Sequence, residues 1–233
     1  MNSSAATPST PPAMPSLNDQ RVPLLAFTLS SAVYMALDAT NTEGNWMALL
    51  KIVPILMLAW LANRHLAGTT RLLALVALAL SATGDVLLAI QFPNHFVFGL
   101  GAFLLAQLTY AGNFLRAPRF GSRRFVLRAV AILLAALLLA RQVVPGAGEL
   151  AIPVACYIVA IVAMALSAAA HRSGSSLLFA GAVTFMVSDA LIAINRFVDP
   201  VPAAGTWIML TYYGAQALLV FGLMRADLSS RSA

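Results

Sequence analysis

The chain has 233 residues, of which 61% are hydrophobic and only 9% are charged. Ordinary soluble domains carry about 25% charged residues, so this composition excludes a globular cytosolic domain. It also excludes a disordered chain, and the single cysteine, Cys156, cannot form an internal disulfide. The composition therefore predicts an all-α polytopic membrane protein.

Residues 1–21 are rich in Ser, Thr and Pro, and we predict a disordered tail there rather than a cleaved signal peptide. From Val22 onward, short polar or Pro/Gly breaks divide an almost continuously apolar chain. A spanning helix needs about 20 apolar residues. The breaks predict a transmembrane domain at 22–224, with eight helices at about 22–38, 46–62, 71–91, 96–115, 125–140, 150–170, 177–198 and 206–224. Residues 225–233 then form a short C-terminal tail.

Basic residues concentrate in the tails and in alternate loops of this arrangement. One side holds Arg21, Arg64, Arg71, Arg116, Arg119, Arg123, Arg124, Arg128, Arg172, Arg225 and Arg231, whereas the other holds Arg141 and Arg196. The positive-inside rule then predicts that both termini are cytoplasmic, and we expect the bacterial inner membrane. This bias accounts for the net charge of +6, so we expect contact with anionic membrane lipid and no nucleic-acid partner.

Three ionisable residues fall inside predicted helices: Lys51 in the second, Asp85 in the third and Asp189 in the seventh. Each costs about 2.5–3.5 kcal/mol at the centre of a spanning helix. They lie about 7, 9 and 12 Å from the outer ends of their helices, so they could form one Asp–Lys–Asp cluster. Two carboxyls in one site can serve as acid and base, as in hydrolases of acetals and ethers. Alternatively, Lys51 extends to the membrane surface and each Asp is a packing residue.

Further polar residues lie in the predicted helices, where they are candidates for substrate binding or for hydrogen bonds between helices. They are Ser81, Tyr110, Ser188, Asn195, Tyr212, Tyr213 and Gln216. The histidines His65, His95 and His171 have no second ligand at metal spacing, so we expect neither a metal site nor a cofactor.

Two short motifs recur at an offset of about 104 residues. GDVLLAIQF at 84–92 resembles SDALIAINRF at 188–197, and LTYAG at 108–112 resembles LTYYG at 210–214. An offset of four helices predicts a parallel internal repeat, although biased composition can produce such short matches by chance.

The segments KIVPI (51–55), SATGDVLL (81–88), GLGAFLLAQLTY (99–110), FMVSDALIAINRF (185–197) and LTYYGAQALL (210–219) resemble the YhhN-like lysoplasmalogenase family. The resemblance runs from about residue 22 to 224 and implies an eight-helix membrane hydrolase. Its substrate would be a lysoplasmalogen, a single-chain lysophospholipid. The products would be a fatty aldehyde and glycerophosphoethanolamine or glycerophosphocholine.

The family's recurrent polar positions match Lys51, Asp85, Asp189, Asn195, Tyr213 and Gln216 of this chain. One departure is Gln107, where the family often has His. Independently of the resemblance, the chemistry of vinyl-ether hydrolysis predicts that one of Asp85 and Asp189 is the protonated acid and the other the base, with Lys51 deciding which one keeps the proton.

Two other classes of function remain open from the residues alone. Paired intramembrane charges also suit a small proton- or cation-coupled transporter. For a transporter we would expect helices broken at Pro54 or Pro153. The third class is a lipid-binding membrane protein without catalysis.

Overall fold

The computed structural model describes residues 17–40, 42, 44–173 and 175–231. Within them the chain forms eight α-helices and no β-strand, which confirms the predicted all-α class. The helices are α1 (Leu17–Ala39), α2 (Trp46–His65), α3 (Gly68–Ala89), α4 (His95–Phe114), α5 (Arg123–Val143), α6 (Ala151–Ala170), α7 (Ser176–Phe197) and α8 (Ala204–Arg231). A 3₁₀ turn, Val144–Leu150, connects α5 to α6.

The first and last helices extend beyond the predicted apolar segments. The helix α1 begins at Leu17, inside the predicted tail, and α8 continues to Arg231, through most of the residues assigned to the C-terminal tail. Helix propensity does not follow hydropathy, since Gln and Arg favour helices about as strongly as Leu does, so hydropathy underestimated both lengths. Residues 1–16 of the predicted N-terminal tail lie outside the described residues.

Seven helical segments of the described chain are long and apolar enough to cross a membrane. One of them, Arg123–Ala170, has 48 residues and contains both α5 and α6. Gly148 adopts φ 55° and ψ −124° between these two helices, a conformation that favours glycine and interrupts the helical path. The helix α2 continues through Pro54, and Pro153 lies in the first turn of α6. Neither proline therefore produces the broken helix that we would expect of a transporter.

Glycines bring neighbouring helices close together in both halves of the bundle. A Cβ atom on Gly84 of α3 would lie 2.6 Å from the ring of Phe103 on α4. A Cβ atom on Gly181 of α7 would lie 2.9 Å from the backbone nitrogen of Leu219 on α8. Small residues at helix contacts are typical of membrane bundles, where close van der Waals packing holds helices together.

The outer surface of the bundle is apolar. Leu133 and Leu137 on α5 and Ile152 and Val159 on α6 are all exposed. In water these side chains would form an unfavourable surface, whereas lipid tails solvate them. The structure is therefore that of a multi-pass membrane protein.

Candidate active site

The polar side chains inside the bundle form three hydrogen-bonded groups, each between three helices. The Asp85 group consists of Lys51, Asp85 and Tyr212; the Asp189 group consists of Gln107, Tyr157 and Asp189; and the Gln216 group consists of Ser81, Tyr110 and Gln216. Among the described residues, they contain half of the buried polar and charged residues other than tyrosine.

The Asp85 group joins α2, α3 and α8 around a charge pair. Lys51 Nζ lies 3.4 Å from Asp85 Oδ1, and the Tyr212 hydroxyl donates a 2.7 Å hydrogen bond to Asp85 Oδ2. Asp85 is only 2% exposed, and each of its carboxylate oxygens has a protein partner. The Tyr213 hydroxyl donates to the backbone carbonyl of Lys51 at 2.8 Å and thereby fixes the helix that carries the ammonium.

The Asp189 group joins α4, α6 and α7 and has a different electrostatic character. Gln107 Nε2 and the Tyr157 hydroxyl donate to the same oxygen, Asp189 Oδ2, at 2.8 and 2.7 Å. Among the described residues, no Lys or Arg lies within salt-bridge distance of Asp189, and none of them hydrogen-bonds Oδ1. The second oxygen of this carboxyl is therefore available to a bound molecule.

The amide of Gln107 is committed to this group. Its Nε2 donates both to Asp189 Oδ2 and to the Tyr157 hydroxyl oxygen, the latter at 2.7 Å. Gln107 Oε1 is buried without a hydrogen-bond partner among the described residues. Leaving such an acceptor unpaired costs about 1–3 kcal/mol, so the contacts of the amide nitrogen determine how this side chain is oriented.

Each member of the Gln216 group lies about one helical turn along its helix from a residue of the other two groups. The Tyr110 hydroxyl donates to Gln216 Oε1 at 2.7 Å, and Gln216 Nε2 donates to Ser81 Oγ at 2.9 Å. All three side chains are fully buried, so their polar groups hold α3, α4 and α8 together. A role of Tyr110 or Gln216 in substrate binding stays a prediction.

Two other predicted substrate-binding residues, Ser188 and Asn195, contact α8 or the loop that leads to it. The Ser188 hydroxyl donates to the backbone carbonyl of Ile208 at 3.0 Å and joins α7 to α8. Asn195 Oδ1 accepts from the backbone N–H of Val201 at 2.9 Å and stabilises the loop between these helices. A role of either residue toward a substrate stays a prediction.

The structure does not form the single Asp–Lys–Asp cluster that equal depth suggested. Lys51 pairs with Asp85, whereas Asp189 takes Gln107 and Tyr157 as partners. Depth along a helix is set by sequence, but the direction of a side chain also depends on the rotation of the helix about its axis. The seventh helix turns Asp189 toward α4 and α6, so the two carboxyls have separate partners.

The partners of the two aspartates are related in the way that an internal repeat predicts. If α1–α4 correspond to α5–α8, then α2, α3 and α8 correspond to α6, α7 and α4. Asp85 on α3 bonds to α2 and α8, and Asp189 on α7 bonds to α6 and α4. Each carboxyl thus reaches the last helix of the opposite half, although one partner is a lysine and its counterpart is a tyrosine.

Two adjoining cavities open beside these groups. The apolar cavity is lined by α3–α7 and contains about 50 Å³ of free space, with Asp189 and Tyr157 as its polar side chains. The polar cavity contains about 270 Å³ and is lined by Tyr34, Asp38, Lys51, His95, Asn195 and Arg196. Leu88, Phe96 and Ile192 line both cavities and separate them. The pair therefore places an apolar wall next to a polar one, with these three side chains at their junction.

Sequence reasoning missed Tyr157 and gave Tyr212 no specific role. Tyr157 lies in α6, the most apolar helix of the bundle, where a tyrosine hydroxyl is a signal that could have been used. Gln107 was identified in the sequence only as a departure from the family pattern, yet its amide donates a hydrogen bond directly to Asp189. Among the described residues, no three His, Cys, Asp or Glu side chains form a group that could hold a metal ion.

The model of the YhhN family matches residues 46–223, which include all the residues of the three polar groups. The chain belongs to the YhhN family. Among curated proteins, it is 41% identical over 171 residues to a lysoplasmalogenase of Mycobacterium bovis and, equally, to one of Mycobacterium tuberculosis. These matches cover 71% of this chain and 66% of the relatives, so the chain spans just under two thirds of their length.

Animal relatives are aligned over more of their length. The chain is 33% identical over 208 residues to lysoplasmalogenase TMEM86B of Homo sapiens, with 87% of each chain covered. It is 30% identical over 215 residues to lysoplasmalogenase TMEM86A of Homo sapiens, with 87% of this chain and 89% of the relative covered. No solved structure matches the chain.

Proposed function

We propose that this protein hydrolyses the vinyl-ether bond of lysoplasmalogens. The products would be a fatty aldehyde and glycerophosphoethanolamine or glycerophosphocholine. The observation that carries the proposal is the Asp189 carboxyl, which lines an apolar cavity inside a membrane bundle and keeps one oxygen available there. The names of the mycobacterial and animal relatives support the same activity.

The two cavities suit the two ends of such a substrate. The alkenyl chain would occupy the apolar cavity, where burial of each CH₂ group contributes about 0.8 kcal/mol. The glycerophosphate part would occupy the polar cavity, where Arg196 and Lys51 would attract the phosphate and Asp38 would attract the head-group amine. Because only about 50 Å³ is free in the apolar cavity, the chain would have to displace Leu88, Phe96 or Ile192 as it enters.

Vinyl-ether hydrolysis begins with proton transfer to the β-carbon, which leaves an oxocarbenium ion. Water then adds to the α-carbon, and the resulting hemiacetal collapses to the aldehyde and the alcohol. This sequence consumes one water and needs a general acid next to a carbon atom, an anion near the cation and an acceptor for the water proton.

We assign the general acid to Asp189. A buried carboxylate without a cation costs several kcal/mol, and Lys51 offsets this cost only for Asp85. Asp189 would therefore carry its proton on Oδ1 before the reaction. After proton transfer, the hydrogen bonds from Gln107 and Tyr157 to Oδ2 would stabilise the new carboxylate, which would then accept the proton of the attacking water.

Asp85 would act through Lys51. With both oxygens bonded, it holds the ammonium at the wall of the polar cavity, where the ammonium would meet a phosphate or glycerol oxygen. A direct catalytic role of Asp85 stays a prediction.

The proposal is tested by incubating purified full-length protein with lysoplasmalogen and measuring aldehyde release. An ester-linked lysolipid serves as the substrate control. Asp189→Asn should lower the rate about 10²–10⁴-fold, the usual contribution of a general acid. Asp199→Asn is the matched control, because Asp199 is exposed just beyond the end of the same helix. Equal rates for Asp189→Asn and wild type would refute the mechanism, and no aldehyde from folded wild type would refute the function.

We also propose that the protein spans the bacterial inner membrane with both termini in the cytoplasm. Eight successive antiparallel helices return the chain to the side on which it started, and most arginines lie at that end. Reporter fusions at the two termini should both report a cytoplasmic location. An external location of either fused terminus would refute this orientation.

A further inference from the structure

Two loops are joined at the arginine-rich end of the bundle, opposite the polar cavity. Arg119 in the α4–α5 loop donates its backbone N–H to the carbonyl of Ala170 at 2.6 Å, and Arg172 in the α6–α7 loop donates its backbone N–H to the carbonyl of Ala117 at 2.7 Å. Since these bonds use only backbone atoms, they fix the loops without using the guanidinium groups.

A cavity of about 580 Å³ lies between the joined loops and the ends of α3, α4 and α8. We call it the basic pocket; its polar lining includes Thr70, Arg116, Arg119, His171, Arg172 and Ser173. Arg116 Nη1 donates to Thr70 Oγ1 at 3.1 Å, which holds one guanidinium at the wall. Asp227 also lines the pocket, so three arginines face one carboxylate.

The positive charge of the basic pocket comes from its arginines. Burial, together with the charge of Arg172, lowers the pKa of His171, so its imidazole is neutral at pH 7. Nδ1 of His171 lies 2.7 Å from the Ser173 hydroxyl, which holds the ring against the same loop. The pocket thus combines charged forks with uncharged hydrogen-bond donors.

We propose that the basic pocket binds the phosphate group of an anionic phospholipid from the adjoining leaflet. The planar forks of Arg119 and Arg172 match the geometry of phosphate oxygens, and basic pockets between membrane helices are typical sites for anionic head groups. Leu115 and Phe120 in the α4–α5 loop are 45% and 54% exposed beside the arginines. Such apolar side chains would contact the acyl chains of a lipid, whereas a free phosphate ion would leave them in water.

The test titrates phosphatidylglycerol into the detergent-solubilised full-length protein and measures the bound fraction by native mass spectrometry. Phosphatidylcholine is titrated in parallel as the zwitterionic control. The test variant is Arg119→Gln/Arg172→Gln, in which the backbone bonds between the loops remain possible. The matched control is Arg123→Gln/Arg124→Gln, because these exposed arginines begin α5 and do not line the pocket.

We expect wild type to bind phosphatidylglycerol in preference to phosphatidylcholine. The pocket variant should bind about 30-fold more weakly, which corresponds to about 2 kcal/mol for two arginines. The control variant should stay close to wild type. Equal weakening in both variants would refute a pocket and indicate only a diffuse surface charge.

Inorganic phosphate is added as a competitor in a separate titration. If it displaces the lipid at matched concentrations, the pocket is a site for soluble phosphate and the lipid assignment is wrong. If the double variant does not fold, Arg172→Gln is compared with Arg124→Gln, and we expect a loss of about fivefold for the first alone. Equal affinities of these two single variants would overturn the proposal.

Discussion

Tyr157→Phe tests how the protein stabilises the Asp189 carboxylate. The substitution removes the hydroxyl that donates a 2.7 Å hydrogen bond to Asp189 Oδ2 and leaves the 2.8 Å bond from Gln107 in place. The ring is 8% exposed and keeps its packing, so the main change is the loss of this bond and of the 2.7 Å bond that the hydroxyl accepts from Gln107 Nε2.

The expected effect on kcat depends on the step of the reaction in which Asp189 becomes charged. If Asp189 starts protonated, the hydrogen bond from Tyr157 strengthens as the proton leaves for the substrate. A hydrogen bond to a charged group contributes about 1.5–3 kcal/mol. We therefore expect kcat to fall about 10- to 100-fold, with KM changed much less, because the substrate ground state does not depend on this charge.

The assay is aldehyde release from lysoplasmalogen over a range of substrate concentrations, which separates kcat from KM. Ser167→Ala is the control, because it removes another buried hydroxyl of α6 whose bond, to the carbonyl of Ala163 at 2.6 Å, lies away from Asp189. Its kcat should match wild type. A folded Tyr157→Phe enzyme with wild-type kcat would show that Asp189 does not develop charge in the rate-limiting step, and our assignment of the acid would be wrong.

Two further predictions concern stability, measured as thermal unfolding in detergent. Lys51→Met should lower the free energy of unfolding by up to about 3–5 kcal/mol, because Asp85 loses its cation and must either stay charged or take up a proton. Lys51→Arg should recover part of this loss, and equal losses in both variants would contradict the charge argument. Gly84→Ala should cost about 1–3 kcal/mol, because the new Cβ would lie 2.6 Å from the ring of Phe103. A Cβ atom on Gly112 would have nothing within 4 Å, so Gly112→Ala should leave the unfolding temperature unchanged or raise it. Similar losses of stability at both glycines would contradict the close approach of α3 and α4.

Local chemistry explains why much of this protein could be predicted from its sequence. Hydropathy along the chain located the eight helices that the described residues form, because a spanning segment must carry its own apolar surface and satisfy its own backbone hydrogen bonds. The same reasoning identified Lys51, Asp85 and Asp189 as exceptional, since an ionisable side chain is costly wherever it lies within a span. The ends of α1 and α8 were less predictable, because these helices continue into polar residues and hydropathy marks only the apolar part of a helix.

Only the tertiary structure decided which groups meet. Asp85 bonds to a tyrosine 127 residues away, and Asp189 bonds to Gln107 and Tyr157, at 82 and 32 residues. Such pairs depend on the rotation of each helix and on how closely the glycines let helices approach, and neither is encoded in a single segment. The sequence therefore determined that rare charges lie in an apolar bundle. Packing determined that Asp85 pairs with Lys51 and that Asp189 lines a cavity, and this difference underlies the proposed roles of the two aspartates.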